Sequence, residues 1–279
     1  MLQACTDMQG DEGWTEVRAG TFEGDCRVWY RPDPGSPVHS LRVSADIDAP
    51  LEYLLVLLNE VSLYNTWLPF IGDSQTLSRP ARCSQYAWVK VKSPAAVLLH
   101  HRDALIHCKA IDGLEEDGRV LVLVRSCVPG QDAQEGTGAG RADAGMPCPD
   151  GGTRCVRVDV KVAAICLEPL LNGGTRLTAM GNIDPKMDAL PAWLINWVAT
   201  KVCAVGVWQL ARTALRIAAG TDEACPHRRA MCDKQDFYKW VHSRVLASTP
   251  TISAKRYFGG PCPQEQGDGR RVAADVVSQ

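Results

Sequence analysis

The residues of this chain that could carry chemistry do not form a common catalytic signature. GxSxG, HExxH and P-loop patterns are absent, and the glycines of residues 129–152 do not join a strand to a helix, as a phosphate-cradling loop would. The twelve cysteines form no CxxC pair. Cys225, His227 and Cys232 stand close enough to suggest zinc, but a fourth ligand is not evident. We therefore expect no catalytic residue, no metal and no cofactor.

Charged and imidazole side chains gather at the start of one strand-like run. Arg102 and Asp103 stand there, near His100, His101 and His107. Successive side chains of an extended chain point to opposite faces, so the adjacent histidines diverge and a three-histidine metal site is not expected. The same rule separates Arg102 from Asp103. Because a buried arginine needs a partner, Arg102 belongs to a surface or structural ion pair unless a ligand supplies that partner.

The composition is that of an ordinary globular protein. The chain has 279 residues, of which 46% are hydrophobic and 22% charged, and its formal net charge is −2. These values exclude a collagen, a coiled coil and a wholly disordered chain. The near-zero charge argues against a partner nucleic acid. The first 14 residues contain neither a basic flank nor an apolar run, so we expect no secretory signal, free thiols and a monomer in the reducing cytoplasm.

Strand patterns fill most of the chain up to residue 183. Residues 1–13 form a polar tail that we expect to be disordered, and residues 129–152 are a glycine-rich insertion loop. A buried helix should begin near Pro50, with Asp48 as its cap. The strand patterns cover residues 14–19, 26–31, 38–47, 84–92, 103–111, 119–127, 154–167 and 175–183. Asp-Gly pairs at 112–113 and 117–118 predict a hairpin between the fifth and sixth of these strands.

One long helix follows the strands. Residues 188–219 contain a single glycine and a single proline, and Gly220 is placed to end the helix. Positions 193, 197, 201, 204 and 208 form one stripe, which should pack in the core or line a cavity. A membrane span is the less favoured alternative, because Lys201 lies near its centre. Strands followed by one closing helix predict an α+β fold, with a curved antiparallel sheet around a long C-terminal helix, and exclude a doubly wound sheet.

Three segments carry a resemblance to a known family. They are SLYNTWLPFI at 62–71, RDALIHCKAIDGLEEDGRVLVLVRSC at 102–127 and NIDPKMDALPAWLINW at 182–197. Together, in this order and spacing, they resemble the START domain, the steroidogenic-acute-regulatory-related lipid-transfer family within the Bet v1-like superfamily. The resemblance covers about residues 14–219.

The resemblance implies a helix-grip fold with an internal hydrophobic tunnel. The expected function is to bind or transfer one hydrophobic ligand, a sterol, phospholipid or similar molecule, without covalent chemistry. The ligand-binding residues it suggests are Arg102, Asp103, Arg125, Met180, Trp193 and Trp197. Two alternatives stay open, a polyketide cyclase or aromatase-like enzyme on the same fold, and a lipid-sensing adaptor at a membrane surface.

Residues 220–279 form a C-terminal extension that we expect to be partly disordered. Residues 226–256 carry a clear excess of basic over acidic side chains. Residues 234–247 can form a short helix on which Phe237, Trp240 and Val241 cluster. Such a basic, aromatic segment could touch an anionic membrane surface, or it could pack on the domain as a solvated extension.

Overall fold

The structure is a computed structural model that describes residues 13–18, 26–95, 99–127, 155–187, 190–222 and 224–248. The polar tail expected at 1–13, apart from Gly13, lies outside the described residues, as do the insertion loop expected at 129–152 and the chain after residue 248. How the chain divides into domains therefore stays a prediction.

A single large sheet dominates the fold. Its strands are β1 (Thr15–Arg18), β2 (Arg27–Pro32), β3 (His39–Ile47), β4 (Ile71–Ala81), β5 (Ser84–Val91), β6 (His101–Gly113), β7 (Arg119–Ser126), β8 (Cys155–Arg157), β9 (Asp159–Pro169) and β10 (Thr175–Asp184). They lie in the order β1-β2-β3-β10-β9-β7-β6-β5-β4, all antiparallel, and β8 pairs in parallel with β6. The predicted α+β architecture is confirmed.

Helices cover the inner face of this sheet. The chain forms α1 (Leu51–Asn59), a 3₁₀ turn (Val61–Leu63) and α2 (Tyr64–Trp67) between β3 and β4. After β10 come α3 (Ala192–Ala219), α4 (Pro226–Asp233) and α5 (Gln235–Ser248). Leu54 of α1, Leu167 of β9 and Ile217 of α3 are completely buried in the shared core.

Local sequence signals predicted several ends of strands and helices correctly, and two of the predictions were wrong. The β6–β7 hairpin turns where the Asp-Gly pairs predict, and Gly118 has the positive φ of 70° that such a turn requires. Gly220 ends α3 in the left-handed conformation, as predicted. Asp48 does not cap α1, which begins after Pro50 without a side-chain cap bond. The expected strand at 154–167 is two strands, because Cys155–Arg157 pair in parallel with β6, where the Val158 amide also bonds Asp103 O, whereas Asp159–Pro169 pair with β7 and β10.

The long helix α3 exists, but its buried side differs from the predicted stripe. Residues Val198–Ala204 wind as a π-helix within it. Of the predicted stripe only Ala204 is buried, Lys201 is exposed and Trp193 is 52% exposed. The buried positions are Leu194, Ala199, Ala204, Leu210, Thr213, Ala214 and Ile217. A π turn takes more residues than an α turn, so positions on either side of it no longer share the face that a straight helix would give them.

Among the described residues, α3 is the one helix whose length and composition would allow it to cross a membrane, and 22% of its most apolar stretch is buried.

Within the described part of the chain, one cysteine departs from the expectation of free thiols. Cys83, Cys108, Cys203 and Cys225 are free, whereas Cys232 in α4 is disulfide-bonded.

A buried ion pair holds the start of β6 on the outer face of the sheet. The Asp103 carboxylate, 3% exposed, accepts hydrogen bonds from Trp88 Nε1 at 2.8 Å and from the Arg157 guanidinium at 2.5 Å. Trp88 belongs to β5 and Arg157 to β8, so one carboxylate joins three strands. Removal of one partner from a buried pair leaves the other charge uncompensated.

We predict that Asp103→Ala lowers the free energy of unfolding by about 3 kcal/mol, because the Arg157 charge and the Trp88 N–H lose their acceptor. The control is Asp46→Ala, which removes an exposed pair with Arg176 and should cost less than about 1 kcal/mol. Urea unfolding of both variants measures the difference. Equal, small losses would contradict a structural role for Asp103.

His227 in α4 is a second buried polar group. It is 1% exposed, and within the described residues neither ring nitrogen has a hydrogen-bond partner. Burial lowers the pKa of this imidazole from 6.5 to about 4, while the Glu60 carboxylate partly opposes the shift. The folded protein therefore holds His227 neutral at pH values where an unfolded chain would protonate it.

We predict that His227 makes the protein less stable as the pH falls from about 6.5 towards 4. In that window the unfolded state binds one more proton than the folded state, at a cost that reaches roughly 3 kcal/mol. His227→Phe should remove this part of the pH dependence. Thermal unfolding of both proteins across the window tests it, and parallel curves would show that His227 is not the group responsible.

Candidate functional site

An apolar cavity of about 270 Å³ lies between the inner face of the sheet and the helices α1 and α5. The sheet contributes Ile106, Ala110, Val120, Val122, Val124 and Ile165. Leu55 and Leu58 of α1 form part of the second wall. The expected tunnel lay between the sheet and the long C-terminal helix, but α3 does not line this cavity.

Strand alternation places the sheet residues on one face. Val120, Val122 and Val124 stand two residues apart on β7, so their side chains share a side of the sheet. Val122 lies opposite both Ala110 of β6 and Ile165 of β9. Three neighbouring strands thus present a continuous apolar surface to the cavity.

The opposite face of the same strands carries a separate small cluster. Met180, 3% exposed, packs there with Ala164, Leu121, Leu123 and Val162. Ala164 pairs with Met180 on one side and with Leu123 on the other. Each is one residue out of step with the cavity positions, so Met180 faces away from the cavity.

The C-terminal helix α5 completes the enclosure. Phe237, Trp240, Val241 and Val245 line the cavity. Their spacing of three and four residues puts them on one side of a helix. The sequence showed this cluster, but nothing local to it indicates which part of the domain it would cover.

A polar network closes one side of the cavity. Arg79 donates to Asn59 Oδ1 at 2.9 Å and to the Asn59 carbonyl at 3.0 Å. Asn59 Nδ2 donates to the Tyr238 hydroxyl, which itself donates to Glu60 Oε1 at 2.5 Å. Lys234 Nζ binds the other Glu60 oxygen at 2.6 Å. Burial and the Glu60 charge raise the pKa of Tyr238, so its proton stays in place to bridge α5 to α1.

A second set of polar contacts joins α5 to the rest of the domain, and Arg244 and Asp112 of this set line the cavity. Arg244 of α5 donates through Nε to Asp112 Oδ2 and through a terminal nitrogen to Glu115 Oε1, both at 2.6 Å. His242 Nδ1 lies 2.5 Å from Glu52 Oε2. Burial of Glu52 raises the pKa of its carboxyl, and the bond to His242 partly opposes this. These carboxylates therefore all have partners on α5.

The interior offers little for covalent chemistry. Burial raises the pKa of the Cys108 thiol to about 12, and burial also raises that of Cys83. Both thiols remain protonated at neutral pH and are weak nucleophiles. The Tyr64 hydroxyl donates to the Leu58 carbonyl at 2.8 Å. The arrangement is suited to hold an apolar molecule away from water.

The predicted charged site residues lie elsewhere. Arg102 donates to the Pro185 carbonyl at 3.0 Å and the His100 carbonyl at 2.6 Å, which ties the start of β6 to the turn after β10. Arg125 donates to the Ser126 carbonyl, and Asp103 is in the buried pair described above. None of the three is among the described residues that line the cavity.

Trp193 and Trp197 lie in the first turns of α3. Trp193 is exposed and Trp197 is half-buried. The structure does not bring the six predicted residues together in one site, and their role in ligand binding stays a prediction.

A second cavity of about 600 Å³ lies beside α3. It runs between Val207 and Trp208 of the helix and Ala45 and Ile47 of β3. Asp46, Asp48 and Arg212 at its walls make it more polar than the cavity under α5.

Several solved structures share this architecture. Human STARD10 superposes with a TM-score of 0.60 and 14% identity, covering 81% of this chain and 82% of its own. Human StAR-related lipid transfer protein 5 gives 0.60 and 16% over 77% of this chain and 93% of its own. A STAR-related lipid transfer protein from Xanthomonas axonopodis gives 0.50 and 22% over 74% and 99%. At these identities the likeness shows the fold.

A sequence comparison with functionally characterised proteins finds no match. The START domain family model matches residues 7–217, which is most of the chain and contains all ten strands and nearly all of α3. With the helix-grip architecture described above, this match identifies the chain as a member of the START domain family.

Proposed function

We propose that this protein binds one neutral hydrophobic ligand, a lipid or lipid-like molecule, in the cavity under α5. The observation that carries the proposal is the cavity itself, apolar on its sheet side and on its helix side, within a START fold. Ligand pockets are usually concave, mostly apolar and bordered by a few fixed polar groups. Two of the similar structures are named as lipid transfer proteins. Binding or transfer of such a ligand is the function these features support.

We propose that the protein releases its ligand chemically unchanged. The cationic lining groups, Arg79 and Arg244, are held by Asn59 and by two carboxylates, and the Cys108 thiol is protonated. A catalytic acid or base would need a poised proton and a reacting atom beside it. Tyr238 and Arg244, which α5 contributes to the lining, are committed to hydrogen bonds that hold this helix.

The size of the cavity limits what it holds in this conformation. Ligand pockets commonly measure about 300–1,000 Å³, and this one measures about 270 Å³. A small apolar molecule fits as it stands, whereas a whole sterol or phospholipid needs one wall to move.

We also propose that the protein is a cytoplasmic monomer that contacts anionic membranes through residues 226–256. The exposed side chains of Arg229 on α4 and Lys239 on α5 support the membrane contact. Basic side chains of this kind are attracted to an anionic leaflet. The net charge of −2 supports a partner other than nucleic acid.

Native mass spectrometry of the purified full chain tests the proposal. A mass increment that extracts into organic solvent and matches one intact lipid is the expected result. Release of a chemically altered product over time would favour an enzyme instead.

We predict that Val122→Trp weakens binding of the neutral fluorescent probe N-phenylnaphthylamine roughly tenfold or more, because the indole fills the cavity. The matched control is Leu123→Trp, one residue along β7 on the other face of the sheet. Fluorescence titration gives both dissociation constants, and circular dichroism checks that both variants are folded. Equal affinity in the two variants would place the ligand outside this cavity.

We predict that Arg102→Leu lowers the free energy of unfolding by about 1–3 kcal/mol, because the carbonyls of Pro185 and His100 lose a charged donor. Probe affinity per folded molecule should not change. Thermal unfolding and probe titration on the same sample separate the two effects. Weaker binding with unchanged stability would make Arg102 a ligand anchor, as the family resemblance implied.

A further inference from the structure

The helix α5 lies beyond the family match, which ends at residue 217, and yet it forms a wall of the cavity. We propose that α5 is a lid on the ligand site and that an anionic lipid surface opens it by binding the cations that hold it closed. This inference rests on the proposed function and adds the regulation of the same site.

The underside of α5 is apolar and fits the cavity. Val241 and Val245 are 7% and 1% exposed and belong to the main core, and Phe237 and Trp240 pack against that core. The Trp240 ring also lies under the Arg82 guanidinium at 5.1 Å, at the β4–β5 turn. The lid therefore reaches from α1 across to the tips of two hairpins.

The contacts that hold the lid all have the same polarity. Lys234, which directly precedes α5, and Arg244 on α5 supply the cations, and the START domain supplies the carboxylates. The ion pairs are Lys234–Glu60 and Arg244 with Asp112 and Glu115, and a hydrogen bond joins His242 to Glu52. Glu52 lies on α1 and Glu60 directly follows it, whereas Asp112 and Glu115 belong to the β6–β7 hairpin.

Solvent reaches both cations even in the closed state. The side chains of Lys234 and Arg244 are 39% and 29% exposed. An anionic surface presents a high local concentration of competing phosphates and carboxylates to them. Exchange of partners would release the helix at several points together.

A lipid surface also stabilises the apolar side of the lid that opening exposes. Phe237 and Trp240 would leave the cavity, and Leu246 is already 40% exposed on α5. Aromatic side chains are stable at the interface between lipid headgroups and acyl chains. Opening in water would expose the same groups to solvent, which disfavours it.

Hydrogen exchange on the full chain tests the opening step. We expect the amides of residues 235–248 to exchange roughly tenfold faster with vesicles of equimolar phosphatidylcholine and phosphatidylserine, because exchange reports local opening. Pure phosphatidylcholine vesicles should leave the rate unchanged. Unchanged protection of this helix on vesicles that bind the protein would overturn the proposal.

A variant pair tests whether the ion pairs hold the lid. Asp112→Asn with Glu115→Gln removes both negative charges that Arg244 binds but keeps the shapes of the two side chains. We expect it to load N-phenylnaphthylamine several-fold faster than the wild type in stopped flow, without vesicles. The control, Glu116→Gln with Asp117→Asn, removes two charges from the same hairpin, where Asp117 faces Arg119 and not α5.

The outcomes distinguish failure of the lid proposal from failure of the proposed ligand-binding function. Equal loading rates in both double variants and the wild type, with binding intact, would overturn the lid and leave the proposed function standing. Failure of the wild-type protein to bind the probe would overturn the proposed function, and the lid with it. Faster loading in the Asp112–Glu115 variant alone supports both.

Discussion

The inner face of the sheet must be covered, and the rest of the molecule follows from how that is done. The alternation of apolar residues along β6, β7 and β9 gives the sheet an apolar face, on which helices pack. The helices α1 and α3 fill the core at one part of the sheet, where Leu54 and Ile217 are fully buried. Over Val120, Val122 and Val124 the cover is α5, and it does not reach the sheet everywhere. The gap between them is the cavity.

The forces that hold α5 are of two kinds and unequal size. Full burial of a residue such as Val245 is worth about 1.5–3 kcal/mol, whereas an exposed ion pair is worth at most about 1 kcal/mol. The apolar underside therefore supplies most of the attachment, and the ion pairs set the position of the helix. A basic side chain near an anionic membrane gains about 1 kcal/mol. Exchange of the protein's carboxylates for lipid phosphates is thus nearly balanced, which the proposed opening requires.

Much of the fold could be predicted from the sequence because the signals are local. Alternation located most of the strands, the Asp-Gly pairs located the β6–β7 turn, and Gly220 located the end of α3. The strand β4 was missed, since Ile71–Ala81 contains polar residues on both faces and a proline. The buried side of α3 could not be predicted, because the π segment at Val198–Ala204 changes the helical period.

The site was harder to predict because it depends on contacts far apart in sequence. The cluster of Phe237, Trp240 and Val241 was visible, but its position over β7 depends on tertiary docking. Arg102 looked like a ligand anchor, and its two hydrogen bonds are instead to main-chain carbonyls, one of them 83 residues away. A strand-start arginine has the same local pattern in both roles, so only the folded chain distinguishes them.

The ion pairs that the charged residues form also limit the charge that a ligand in the cavity can carry. Asp103 and Arg157 hold strand ends together on the outer face, and Arg244 and Lys234 hold the lid at the rim. An anionic headgroup inside the cavity would have to take Arg244 from two carboxylates, and that would leave Asp112 and Glu115 without their cation and next to the new charge. Like charges at close range repel, and more strongly at the half-buried Asp112 than at the exposed Glu115. These charges therefore support the proposal of a neutral ligand, with negative charge acting from outside through the proposed lid.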